Sequence, residues 1–164
     1  LIERQRPLAA VYEGKNAVFV EAEAAGELMF YGAGAGGVET ASAVLGDLVS
    51  TARRHVAGGP GIPGSMHADL PLLPIGDVLS RYQIMLEVSD EPGVLATVAG
   101  ILAENGASAA SVEQSVPRDA HGTATLVIGT HTARESALAA TVSALEASAV
   151  VSQVTSVLRV EGNS

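Results

Sequence analysis

The stretch Asp90-Glu91-Pro92-Gly93-Val94-Leu95, together with the turn Asn105-Gly106-Ala107-Ser108, decides how this sequence is read. Pro92 fixes φ near a helical value and lacks an N–H, which suits a first helical turn. Gly93 removes a Cβ where free backbone N–H groups face outward. Val94, Leu95, Val98, Ile101 and Leu102 recur at the spacing of one apolar helix face, so a helix is expected near 93–105. Asn105-Gly106 ends it, with Gly available for a left-handed cap. A strand, a tight loop, a bare helix N-terminus and a polar turn together suit a small anion or an amino acid.

Working outward, Tyr82, Ile84, Leu86 and Val88 alternate with Gln83, Met85 and Glu87 as a strand. Residues 107–116 read as a second strand, 117–122 as a hairpin turn and 123–130 as a third strand. Leu138, Val142 and Leu145 mark a helix across 133–147, and the β-branched run 150–160 is a fourth strand. The order βαββαβ predicts an α+β, ferredoxin-like unit: a four-stranded antiparallel sheet with two helices on one face. The open sheet face and edge invite self-association.

Upstream, residues 57–76 hold four of the seven prolines and five of the eighteen glycines, which resists helix and central strand. Residues 57–80 are therefore expected to be a linker. Residues 17–23 and 27–31 read as a hairpin after a polar, irregular 1–16. The run Gly32-Ala33-Gly34-Ala35-Gly36-Gly37 suits no regular element. Thr40 or Ser42 can cap a following helix whose stripe is Ala43, Val44, Leu48, Val49 and Ala52, ending on Arg53-Arg54-His55.

Hydrophobic residues make up 48% of the chain but aromatics only 3%, so any core is aliphatic. The net charge is −9, with 5 basic against 9 acidic residues in 1–80 and 4 against 9 in 81–164. That even acidity disfavours nucleic acid as a partner. No apolar run reaches the ~18 residues of a membrane span, and no leader is visible. Without cysteine there is no disulfide or thiol chemistry, which fits a cytoplasmic location. The chain starts at Leu1 and reads as a fragment.

At this point the residues carry a resemblance. Asp90 to Leu95 inside βαββαβ resembles the ACT domain, a regulatory module of amino-acid metabolism that binds amino acids where two copies pair; the likeness covers 81–161. Asn16 to Glu21, Gly32 to Gly37 and Thr40 to Leu48 resemble the end of the catalytic region of homoserine dehydrogenase, here taken as residues 1–56. That family interconverts aspartate semialdehyde and homoserine with NAD(P), and L-threonine is its usual feedback inhibitor.

The resemblance implies cofactor contact in the intact enzyme at Gly34, Gly36 and Thr40. It implies effector contacts at Asp90, Gly93, Val94, Leu95, Asn105 and Ser108, with the effector carboxylate on the amides near Gly93 and Val94. Val88 departs from relatives that carry a polar residue at that strand end. The dinucleotide-binding unit and the hydride-transfer lysines are not in this chain, whose one lysine is Lys15, so no catalytic residue is assigned and the chain alone is expected to be inactive.

Plainer readings stand beside these. The Gly-rich run can be a flexible turn, and Asp90 can simply cap a helix. His55, His67, His121 and His131 lack metal-site spacing, so no metal is expected. Glu21 and Glu23 suit a solvated strand face. A structural ACT module without ligand, or a stand-alone regulatory subunit, remains the alternative to a homoserine dehydrogenase that pairs through its ACT sheets and binds L-threonine.

Overall fold

A computed structural model describes residues 1–58, 70–115 and 122–161. The chain divides into two units, Glu3–Leu70 on one side and Leu1–Ile2 with Pro71–Ser164 on the other.

The first unit contains β1 (Lys15–Ala22), β2 (Gly26–Ala33) and α1 (Gly37–Ala57). β1 and β2 form an antiparallel hairpin, with Lys15 opposite Ala33 and Ala22 opposite Gly26. Gly26, at φ +68, makes the turn. The Gly-rich run is partly regular: Gly32-Ala33 finish β2 and Gly37 opens α1. The expected cap at Thr40 or Ser42 is not formed. Gly36 is the N-cap, and the Thr40 N–H donates to the Gly36 carbonyl inside the first turn. No residue of β1, β2 or α1 is buried; Val44, Leu45, Leu48 and Val49 all remain exposed. An amphipathic stripe of that kind stabilises a helix only when another surface covers it.

The second unit contains β3 (Leu79–Ser89), α2 (Val94–Glu104), β4 (Ala109–Ser115), β5 (Thr123–Thr130), β6 (Ala133–Arg134), α3 (Glu135–Glu146) and β7 (Val151–Val160). β5 and β7 flank β3, β4 lies outside β5, and every pairing is antiparallel. The expected βαββαβ order is therefore present. β6 is an addition that the sequence did not announce, two residues paired with Leu79 and Ser80. β3 begins at Leu79, inside the segment expected to be linker. Residues 59–69 of that segment and most of the 117–122 turn lie outside the described residues.

The pleat sorts the side chains. Ser80, Tyr82, Ile84, Leu86 and Val88 of β3 point to the helix side and are buried, as are Ala124, Leu126, Ile128 and Thr130 of β5. Val94, Val98 and Leu102 of α2 and Leu138 and Leu145 of α3 close that face. Each such large aliphatic side chain contributes ~1.5–3 kcal/mol by leaving water. β4 is exposed along its whole length.

One buried charge is built into this core. Glu135, at the start of α3 and 8% exposed, accepts through Oε1 from the Tyr82 hydroxyl at 2.5 Å and from the Arg159 guanidinium. Burial pushes the Glu135 carboxyl up, but the hydrogen bonds from Arg159 and Tyr82 and the Arg159 charge outweigh it, so the group sits below its usual value. Burial and the Glu135 contact raise the Tyr82 phenol. A depressed carboxylate adds stability above its unfolded value and loses it as pH falls through the folded one; a raised phenol does the reverse at the alkaline end. Glu135→Gln should therefore cost about 1–3 kcal/mol at neutral pH and flatten the loss of stability below pH ~4, read by urea melts between neutral and acid pH. An unchanged acid limb would remove Glu135 from its cause.

Candidate functional site

The site is a corner where β3 gives way to α2. The Val94 N–H donates to the Glu91 carbonyl at 3.4 Å, closing a four-residue turn with Pro92 and Gly93 at its centre. Gly93 has φ +95 and ψ −13, the values that position i+2 of a type II turn requires and that L side chains rarely adopt. Pro92 thus belongs to the turn before the helix, not to its first turn as the sequence suggested. Gly93 is the N-cap itself. A Cβ there would meet nothing within 4 Å, so the glycine answers backbone conformation and not crowding.

No side chain caps α2. The Thr97 N–H reaches the Gly93 carbonyl, while the N–H groups of Leu95 and Ala96 have no acceptor among the described residues. Those amides and the dipole behind them favour a carboxylate. The Asp90 N–H is tied to the Gly122 carbonyl at 2.9 Å, anchoring the corner to the start of β5.

A cavity of about 150 Å³ opens at this corner, lined by Val88, Ser89, Glu91, Pro92, Gly93, Val94, Leu95, Gln114 and Leu126. An apolar cavity of roughly this volume accepts a six-carbon ring, so the space suits a solute of that order. Of the expected effector residues, Gly93, Val94 and Leu95 line it. Asp90 is not among the lining residues; Glu91 supplies the acid. The cavity also draws on Ser89, Gln114 and Leu126, which the sequence reading did not single out. Gln114 reaches the corner because β4 pairs with β5, with Gln114 opposite Leu126.

Asn105 and Ser108 sit elsewhere. α2 is 11 residues long, about 16 Å at 1.5 Å per residue, and they lie at its far end. Asn105 Nδ2 donates to the Ile101 carbonyl at 2.8 Å. Ser108 Oγ lies 3.3 Å from His131 Nδ1. The expected left-handed cap is formed by Gly106 at φ +74, with Gly106 N–H to Ala103 and Ala107 N–H to Leu102. That pair of bonds is a Schellman motif, and buried Ala107 packs with Leu102 in the core.

In the first unit, Gly34, Gly36 and Thr40 lie together at the mouth of α1. A Cβ on Gly34 would run into the Asn16 side-chain amide, and one on Gly36 (φ +148) into the Glu39 carboxylate. Among the described residues no group of three metal-ligating side chains occurs, and no helix is long and apolar enough to cross a membrane.

A βαββαβ sheet whose first strand ends in a glycine turn and an uncapped helix defines an ACT domain, and the ACT domain family matches residues 82–149. The homoserine dehydrogenase family matches residues 1–49. The chain is a homoserine dehydrogenase segment followed by an ACT domain. It is 49% identical over 165 residues to the homoserine dehydrogenase of Mycobacterium tuberculosis, covering 99% of this chain and 37% of that protein. It is 47% identical to that of Corynebacterium glutamicum, covering 98% of this chain and 36% of the relative. A solved structure of a homoserine dehydrogenase from Thiobacillus denitrificans matches with a TM-score of 0.76 at 33% identity, over 98% of this chain and 37% of that one. The chain thus spans little more than a third of the length of these relatives.

Gly93→Ala isolates the backbone term, since its methyl enters open space. It should destabilise the ligand-free chain by about 1–2 kcal/mol, the cost of a left-handed L residue, read as a lower melting temperature. No loss would mean that the turn adopts another conformation in solution.

Proposed function

We propose that this chain is the regulatory part of an NAD(P)-dependent homoserine dehydrogenase, which interconverts L-aspartate 4-semialdehyde and L-homoserine, and that its ACT domain binds L-threonine at the Glu91–Leu95 corner. The observation that carries this reading is the corner itself: uncapped amides, an acid and an apolar floor around a space of amino-acid size. The α-carboxylate meets the Leu95 and Ala96 amides, Glu91 faces the ammonium, and Val88 and Leu126 receive the aliphatic part.

The Asn105–Ser108 turn is a helix length away, so one copy cannot bring both ends of α2 to one ligand. A second copy with its α2 alongside and antiparallel would carry that turn to the first copy's corner. Leu95 and Val112, 47% and 48% exposed on the α2 and β4 side, offer apolar surface for such pairing. Threonine shifts the enzyme only by its differential affinity for the paired arrangements.

The nicotinamide cofactor carries the hydride in the intact enzyme. Gly34, Gly36 and Thr40 fit its edge, because the Glu39 carboxylate over Gly36 suits a ribose hydroxyl or an amide N–H and repels phosphate. The exposed Val44, Leu45, Leu48 and Val49 stripe is covered by the remainder of the catalytic region. This chain by itself then oxidises no homoserine; NAD(P)-dependent oxidation by the purified chain would overturn that assignment.

Thermal shift with threonine, isoleucine, serine and homoserine tests the effector reading. A ligand at 100 times its Kd stabilises by about 2.7 kcal/mol. We expect threonine to do so and Gly93→Asp, which adds a carboxylate where the ligand's own belongs, to abolish the response. A dimer by light scattering that ignores all four amino acids makes the domain a structural module instead.

A further inference from the structure

We infer that Gln114 selects the effector's side chain, distinguishing a hydroxyl from a methyl; this rests on the corner being an effector site. The argument begins with the β4 pleat. Val112 and Gln114 are the β4 residues opposite Ile128 and Leu126, both fully buried on the helix side. Directly opposed residues share a face, so Val112 and Gln114 both point to the side where the sheet carries its core. Such positions are apolar by rule, and Val112 obeys it. Gln114 breaks it at the one inward β4 position that lines the corner cavity.

Covering the core does not explain the exception. β4 lies beyond helix cover, so Gln114 is exposed and fills no packed space. Its side-chain amide has no hydrogen-bond partner among the described residues. The rest of the lining divides cleanly: backbone amides and Glu91 for the charged groups of an amino acid, and Val88, Leu95 and Leu126 for carbon. Gln114 is the uncharged side chain there that offers both an acceptor oxygen and donor N–H groups. A hydroxyl is likewise both donor and acceptor and is satisfied by such an amide. A methyl in its place leaves the amide desolvated and unmatched, which is the larger part of discrimination between isosteres.

L-Threonine and L-valine differ by that one exchange, which makes them the probes. Calorimetry on the full chain should show threonine binding about tenfold or more tightly than valine, the scale of one neutral hydrogen bond. In Gln114→Leu, threonine weakens by a similar factor and valine does not, so the ratio falls to about one. Gln114→Glu keeps an acceptor but sets a second negative charge near the ligand carboxylate: both amino acids weaken while threonine stays preferred. Ligand-free melting of both variants should match the parent, because the position is exposed. A threonine-to-valine ratio unmoved by Gln114→Leu overturns this inference and leaves the effector reading standing. A parent chain that binds neither amino acid overturns both.

Discussion

The left-handed backbone at Gly93 is the constraint on which the second unit depends. β3 must stop within one residue of the sheet edge, and α2 must start back across the same face. A type II turn with Pro92 and Gly93 at its centre does this in four residues. Because the turn uses Gly93 as the N-cap, no Ser, Thr, Asp or Asn side chain occupies that position, and the first amides of α2 are left facing the cavity. The conformational need of the fold and the chemical character of the site therefore have one origin. At the other end a Schellman motif around Gly106 sets where α2 ends and buries Ala107 against the core.

Much of this was legible. The alternation along 82–88 is a period-2 signal that no helix satisfies, and 123–130 matches the observed β5 end for end. Gly106 was readable as a left-handed cap because Asn-Gly after an apolar helical stripe has few other uses. Pro92 was placed one step too far into the helix, since its fixed φ suits a turn and a first helical turn equally well. Thr40 was a plausible cap that the chain bypassed: Gly36 allows an earlier start, so Thr40 falls within the first turn.

What was not legible is what pairing assembles. Gln114 is 21 positions from Gly93 and reaches the corner only through the β4–β5 and β5–β3 ladders. Nothing local distinguishes it from any polar residue on an edge strand, although the change from Val112 to Gln114 on one face was a visible irregularity. Asn105 and Ser108 were grouped with Gly93 because sequence proximity hides the length of the helix between them. The α1 stripe shows the opposite limit: its periodicity was read correctly, yet a stripe says that a face needs covering and not by what. None of its residues is buried.

A helix held by a stiff turn at one end and a locked cap at the other has no soft joint between them. Val94 to Glu104 contains no proline, and its inward side is fixed by Val98 and Leu102. A small displacement at the corner thus cannot be absorbed midway; it arrives at Asn105 as a displacement of the whole rod. The two glycine-built ends make α2 a lever, with its pivot in the aliphatic core and its far arm beside the histidine that contacts Ser108.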